Sequence, residues 1–456
     1  MKTIRPNRRA LLAGCAFAGV ALAPLAVAQD DAELNDLELG DDAELYLGES
    51  LSLGEEFTLD PDGDQVSSAA PQSKQLLGGN RKFIYQHDLA YIFTDPEEVG
   101  SNRSSLRFQW NRFIGNHLYL NVDVKPIVYL PGDDALEVDQ DVDGELKTKE
   151  LYASFTQGTT SVTFGRKIVV WGEAEASPVT DIISPQNIQD LVFTSLDESR
   201  LSQTMLVVDQ YVGKHQWSLI VNPDIKFDEQ PAVATNDLPA EEDDKDVELG
   251  LRWKAAIGRA DLSLMYADVL DNGAVTRYNA RTGEEETNYY AAYSMFGAAA
   301  NINLGNTSLK IEAAFNNKRA QGIDGTAASL AEYDLGYAES DEVLFAVNST
   351  YQENGLREWN YGVLHTEYLD YTEHFELKER RLDEFYFGVS NRFYHELVEV
   401  YLEYQYEIAL ESSIAHVMAS YRATDNLTLQ VDVFNLDNIS GQFDQGSTIA
   451  RIIYNF

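Results

Sequence analysis

The residues best spaced for metal chemistry are Asp139, Asp141 and Asp143, followed by Gly144, Glu145 and, at the twelfth position, Glu150. They fit the calcium-loop template in which carboxylates alternate, a glycine turns the chain and a glutamate closes the loop. Alternating carboxylates suit Ca2+, a hard cation that collects oxygen ligands. The surroundings argue against it. Pro131-Gly132 lies upstream, a strand pattern follows, and Lys147 and Lys149 sit inside the loop. A solvated acidic loop matches the same template, so both readings stand. No other cofactor is expected.

Catalytic chemistry has little to work with. His87, His117, His215, His365, His374, His395 and His416 form no motif, although His365 and His374 flank one loop beside Glu367 and Asp370. Cys15 is the only cysteine and lies in the N-terminal presequence, so the rest of the chain has no thiolate nucleophile, disulfide or Cys metal site. A hydrolase would need a Ser/His or Asp/His cluster near one rim. None is evident, and the chain is not expected to be an enzyme.

The richest stretch runs Gly165-Arg166-Lys167-Ile168-Val169-Val170-Trp171-Gly172-Glu173, then Thr180-Asp181-Ile182-Ile183-Ser184-Pro185-Gln186-Asn187, then Leu196-Asp197-Glu198-Ser199-Arg200-Leu201. Ile182, Ile183, Leu191, Val192 and Phe193 need burial. If residues 172–201 form an external loop of a barrel, folding into the mouth supplies that burial and narrows the pore. Arg166, Trp171, Glu173, Glu175, Asp181 and Arg200 are then the expected constriction residues. The alternative is a lid whose ion pairs only hold it closed.

The elements that must position these residues are strands. From Arg81 onward apolar and polar residues alternate in long runs, as in Leu118, Leu120, Val122 and Val124 against Tyr119, Asn121, Asp123 and Lys125. Runs of ten or more exceed the usual strand of a soluble sandwich and match a tilted membrane strand. We count about eighteen candidate strands, with sixteen possible. Tight connections such as Gln157–Thr159, Gly258–Arg259 and Gly305–Asn306 alternate with long ones such as Pro131–Leu146, Gly172–Leu201, Lys226–Asp246, Asp271–Thr287 and Lys318–Glu339. Only Ala409–Glu411 breaks the pattern. Short turns on one side and long loops on the other mark a bacterial up-and-down β-barrel, with the short side periplasmic. The fold class expected over 81–456 is therefore all-β, a transmembrane antiparallel barrel.

Strand parity sends Arg107, Lys125, Arg252, Lys254, Lys310 and Arg451 into the lumen with Asp123, Glu248, Glu312, Glu399, Glu403, Glu407 and Asp432. Such a lining is either a wet channel or a solvated ion-pair network. In the last strand Thr448, Ala450, Ile452, Tyr454 and Phe456 share one face. Aromatic Tyr454 and Phe456 at its end resemble the signal read by the outer-membrane assembly machinery.

The start of the chain is different. Lys2, Arg5, Arg8 and Arg9 precede an apolar run from Ala10, and Ala26-Val27-Ala28 is a small-residue cleavage site, so residues 1–28 read as a signal peptide cut after Ala28. Residues 29–80 are acidic, with fourteen Asp and Glu and no Lys or Arg from Asp30 to Asp64. That composition predicts a disordered periplasmic segment, or a docking tail or small plug. The formal charge of −41 excludes a nucleic-acid partner, because phosphate binding needs a basic face. The expected partners are outer-membrane lipid, lipopolysaccharide and the assembly machinery.

The motifs of Gly165–Leu206 resemble an outer-membrane barrel family of unassigned function that is associated with RND (MMPL-type) exporters and related to alginate-export-like porins. The resemblance implies a passive channel for small, hydrophobic or polymeric solutes. It also implies an exporter as partner, which could meet residues 29–80. It transfers no catalytic residue.

Overall fold

A computed structural model describes residues 79–94, 97–136, 141–174, 178–189, 196–229, 238–439 and 443–456. The expected signal peptide and nearly all of the acidic segment 29–80 lie outside them, as do Asp139, Glu175, Leu191, Val192 and Phe193.

The chain from Asn80 closes into an antiparallel barrel of eighteen strands, which decides against sixteen. The first five are β1 (Asn80–Ile92), β2 (Glu98–Ile114), β3 (Leu118–Tyr129), β4 (Asp143–Gln157) and β5 (Thr160–Lys167). A short helix, α1 (Leu196–Ser199), precedes β6 (Gln203–Val212) and β7 (His215–Asn222). Then come β8 (Ala240–Glu242), β9 (Glu248–Ile257), β10 (Ala260–Leu270), β11 (Val275–Tyr278), β12 (Glu285–Tyr290), β13 (Ala292–Leu304) and β14 (Thr307–Gln321). Helix α2 (Ala327–Glu332) leads to β15 (Ala338–Glu353), β16 (Arg357–Tyr368) and β17 (Arg381–Phe393). The last four are β18 (Val398–Glu407), β19 (Ser412–Arg422), β20 (Leu427–Ile439) and β21 (Phe443–Asn455).

Each barrel strand pairs with its neighbours in the wall, and β1 pairs with β21 from Ile84↔Asn455 to Ile92↔Ser447, which removes both edges. Closure satisfies the backbone of every strand internally, the condition for a sheet to stand in lipid. β8, β11 and β12 are not in the wall. They form a small separate sheet within two of the long loops.

Alternation sets which side chains face in. Leu402 and Tyr404 of β18 point outward and are exposed, while Tyr401 and Glu403 point inward and pair with each other. The outward set across the wall is apolar, including Leu251, Leu264, Phe296, Val417 and Val431. Phe113, Tyr394 and Phe456 stand exposed at the end with the tight turns, where an aromatic girdle belongs. Ile452, Tyr454 and Phe456 share the outward face as the alternation predicts.

The described parts of several long loops are structured. The β8, β11 and β12 sheet is held partly by Arg277–Glu241 at 2.7 Å, and Tyr289 stacks on Tyr337 at 5.1 Å. Ile323 and Phe375 join Ala338 and Tyr368 in a second buried cluster.

Candidate functional site: the lumen and its inward loop

Residues 168–202 connect β5 to β6, and the described ones, 168–174, 178–189 and 196–202, fold into the barrel. Val169, Trp171, Val179 and Ile183 of this loop share one buried cluster with wall residues Met205, Ile220, Met265, Met295, Leu344 and Leu364. One arc of the inner wall is therefore apolar, and the loop fills it. Trp171 is 1% exposed. It fits because position 250 on β9 is glycine: a Cβ there would lie 2.9 Å from Trp171 Cη2.

Polar contacts fix the loop against that arc. Buried Glu312 on β14 accepts hydrogen bonds from the amides of Glu173, Ala174 and Thr180 and from the Thr180 hydroxyl. Asp181 accepts from the Trp171 amide at 2.9 Å and pairs with Arg200 at 2.8 Å. The Ser184 hydroxyl accepts from the Val169 amide, and Gln203 donates to the Ile183 carbonyl. Lys254 reaches Glu173 at 3.0 Å, and Arg252 donates to the Val170 carbonyl.

The far side of the loop meets a basic wall. Inward-facing Arg103 and Arg107 of β2, Lys125 of β3 and Lys147 and Lys149 of β4 lie together there. Asp133 binds Arg103 at 2.9 Å and ties the β3–β4 loop to this wall. Asp123 holds Arg107 through its Nε and Nη2. Glu198, in α1 of the loop, places one oxygen 3.2 Å from Arg107 Nη1 and the other 2.8 Å from Lys125 Nζ. Lys149 donates to the backbone carbonyls of Glu198 and Arg200. Burial pushes the Glu198 carboxyl up, but Lys125, Arg107 and Lys149 together bring it below the usual carboxylate range. Beside Glu198 a cavity of about 200 Å³ is lined by Ile84, Gln86, Ser105, Arg107, Lys125, Ile453 and Asn455.

Round the wall from β18 to β21 the lining is acidic and mixed. His416 lies 2.9 Å from Asp432 and 3.8 Å from Glu403, with its ring stacked on Phe434. Arg451 pairs with Asp88 and Asp432. Glu399 sits 3.6 Å from Arg392. Lys310 stands inward on β14, two residues before Glu312.

Several expectations move. Trp171 does not face the pore; it anchors the loop in the apolar arc. Asp181 and Arg200 pair with each other, their side chains 1% and 6% exposed, and brace the loop from inside. Arg166 is paired opposite Leu151 on the outward parity, beyond Phe164, and its guanidinium caps the Ser202 carbonyl. Gly165 redirects the chain there, with φ at 136° and Leu151 O where a Cβ would stand. Glu173 reaches the lumen wall through its side chain, which pairs with Lys254. Of the lumen set, Arg107, Asp123, Lys125, Arg252, Lys310, Glu399, Glu403 and Arg451 all stand inward.

The calcium loop is not formed by its described residues. From Asp143 the chain is already β4, so Glu145 lies opposite Ile127 and Glu150 opposite Asp123. Glu145 accepts from Tyr129, and Glu150 accepts from Asn121 inside the barrel, while Asp141 is exposed at the loop. An extended strand separates these carboxylates by about 3.3 Å per residue, so they cannot converge. Among the described residues no group of three or more His, Cys, Asp or Glu is placed to hold a metal ion.

Glu198 and the two lysines were the signals missed. Lys147 and Lys149 were legible as a defect in the calcium template, and their role as a basic wall explains why they are there. Among the described residues a Ser/His pair does occur, His87 with Ser104 at 2.9 Å. It sits at mid-strand on the outward face, away from either rim.

No family model matches the chain, and no curated protein does. The exporter-associated and alginate-export-like kinship suggested by Gly165–Leu206 therefore finds no support there. Solved structures do match, as folds. OccAB1 of Acinetobacter baumannii superposes with a TM-score of 0.53 at 10% identity, over 84% of this chain and 98% of that one. A BenF-like porin from Pseudomonas fluorescens gives 0.52 at 11% identity, over 82% and 98%. The outer membrane protein opdK from Pseudomonas aeruginosa gives 0.50 at 10% identity, over 83% and 99%. What this chain shares with these outer-membrane porins is the closed barrel over nearly their whole length.

Proposed function

We propose that this chain is a passive outer-membrane channel for small solutes. The observation that carries the reading is the inward loop 168–202. It fills the apolar arc of the lumen, meets the basic wall of β2 to β4 through Glu198, and leaves the polar lining from β18 through β21 to that contact as the path. A barrel whose only task was structural or adhesive would not need a polar, charge-paired arc facing a loop held by a dozen specific contacts. A hydrolase is not favoured: the Ser/His pair lies on the lipid-facing side, and His416 in the lumen is bound by Asp432 and Glu403 and stacked on Phe434 rather than paired with a serine.

The basic wall gives the path a direction of preference. Arg103, Arg107, Lys125, Lys147 and Lys149 gather on one side, and charged linings at a narrow point set ion selectivity. Small anionic solutes are the class this wall suits. Kinship with exporter-associated barrels, and docking of an exporter to residues 29–80, stay within the proposal on the strength of the Gly165–Leu206 motif.

The test is electrical. Purified protein added to a planar bilayer in potassium chloride should produce stepwise conductance. Preparations that migrate as folded barrels yet never open a pore would refute the channel.

A further inference from the structure

We propose that Glu198 is a tethered competitor for the solute's own carboxylate, occupying the site between Arg107 and Lys125 that an anionic solute must take to pass. The inference rests on the channel reading and adds to it a residue that sets specificity from within the loop.

The geometry is that of a ligand in a prepared site. The two Glu198 oxygens are shared between two cations on two different strands, at 3.2 Å and 2.8 Å. Asp123 takes the Nε and Nη2 of Arg107 and fixes the guanidinium, which leaves Nη1 turned to the lumen. Gln109 adds a hydrogen bond to Asp123 and holds it in place. The receiving side is thus built into the wall by residues independent of the loop. Charge-assisted bonds to a carboxylate are about twice as strong as neutral ones, so the wall cations should not stay bare.

The loop does not need this contact to stay in place. Its docking is carried by Trp171, Glu312, Asp181 with Arg200, Ser184 and Gln203, and Lys149 holds the backbone carbonyls of Glu198 and Arg200 against the basic wall. The Glu198 carboxylate is a further contact on that wall, made by a side chain that can turn without moving the backbone. Next to its carboxylate lies the cavity of about 200 Å³, whose lining includes Gln86, Ser105 and Asn455. A small hydroxy acid could seat its body there, with hydroxyls on those side chains and its carboxylate on Arg107 and Lys125, once Glu198 turns aside. Each passing anion then exchanges one carboxylate for another, so the site never carries uncompensated positive charge. Chloride, a single spherical acceptor with no hydroxyls to reach Gln86, Ser105 or Asn455, competes less well.

The experiment compares wild type with Glu198→Gln in planar bilayers and by calorimetry in detergent, using sodium gluconate as the probe. Loss of the tethered charge should raise the anion-to-cation permeability ratio at least about threefold and tighten gluconate binding by about tenfold, since the competitor is gone. Adding Lys125→Gln to Glu198→Gln should abolish the gain in gluconate binding. Glu198→Ala repeats the test should the amide disturb packing. Wild-type conductance with unchanged permeability ratio and unchanged gluconate affinity in both Glu198 variants would overturn the competitor while leaving the channel standing. A wild type that never conducts would overturn the channel itself.

Discussion

Glu312 holds Thr180 twice: its Oε2 accepts the Thr180 amide at 3.1 Å and the Thr180 hydroxyl at 2.9 Å. Its other oxygen accepts the amides of Glu173 and Ala174, so one buried carboxylate ties Glu173 and Ala174 to Thr180. Glu312→Gln keeps the shape but turns an NH2 group toward amide donors. At least one donor then goes unmet, at a cost of roughly 1–3 kcal/mol. Docking of the loop should weaken, with hydrogen exchange at the Glu173, Ala174 and Thr180 amides faster by about tenfold to a hundredfold. Channel noise should rise with it. Unchanged protection at these three amides would show that Glu312 is not the clamp.

The barrel was legible because strand alternation is a local signal. Leu402 and Tyr404 face lipid in any register that buries Glu403, and an even number of such strands lets β21 run antiparallel to β1, as the closed barrel requires. The small sheet of β8, β11 and β12 was not legible, because its strands are three to six residues long and sit among turns. The loop's inward course was legible from Ile182 and Ile183, apolar groups in a place that otherwise faces water. Which of its charges would face the pore was not. Asp181, Glu198 and Arg200 look alike along the chain, and only the fold shows that the first and third satisfy each other while the second reaches the basic wall. Lys147 and Lys149 were visible only as misfits, since a bulge between Asp123 and Val124 in the β3–β4 register sets their neighbourhood.

Trp171 and Gly250 form a lock that a methyl group should jam. A Cβ at position 250 would stand 2.9 Å from Trp171 Cη2 and 3.3 Å from Ile183 Cδ1. The indole, buried on both sides, has little room to retreat. Gly250→Ala should cost about 1–3 kcal/mol of loop docking through overpacking, and Trp171→Ala about 3–5 kcal/mol through the cavity it leaves. The barrel wall should survive both. Quencher access to tryptophan in Gly250→Ala, measured beside Trp171→Phe, reports the displacement. If the Gly250→Ala protein shows no added quenching beyond wild type, the indole has space that the geometry denies.

The contacts at Asp228 and Glu376 and the contact at Glu198 should respond to acid in opposite ways. Burial pushes Asp228 up to about 6, against the pull of the Gln186 amide that it accepts. Burial, with Glu285 nearby, pushes Glu376 up to about 7. Both are raised in the folded protein, so their stabilising contribution is present at low pH and is lost as pH rises through 6 to 7. Glu198 is lowered, so its contribution is present above the ordinary carboxylate range and is lost as pH falls through its folded value. Loops 223–229 and 369–380 should therefore gain exchange protection between pH 7 and pH 5, after correction for intrinsic rates. The Glu198 contact should loosen only at more acid pH. Asp228→Asn and Glu376→Gln should flatten the first change and leave the second. A loop that loses protection steadily from pH 7 downward would contradict the assignment.

Asp181 and Arg200 offer the sharpest test of what braces the loop. Their side chains are almost wholly buried and 2.8 Å apart, and Asp181 also accepts the Trp171 amide. Removing one partner strands the other as a buried charge, which typically costs about 3–5 kcal/mol. Asp181→Asn keeps an acceptor for the Trp171 amide but leaves Arg200 uncompensated. Arg200→Met leaves Asp181 charged among apolar neighbours. Each should lower the melting temperature of the docked loop, followed by exchange at Val169 and Trp171, without unfolding the barrel. The double change Asp181→Asn with Arg200→Met removes both charges, and replacing a buried pair with neutral groups is often close to neutral. It should therefore recover most of the loss. Additive losses would mean that the two residues act separately, and that Arg200 serves the loop through a contact other than Asp181.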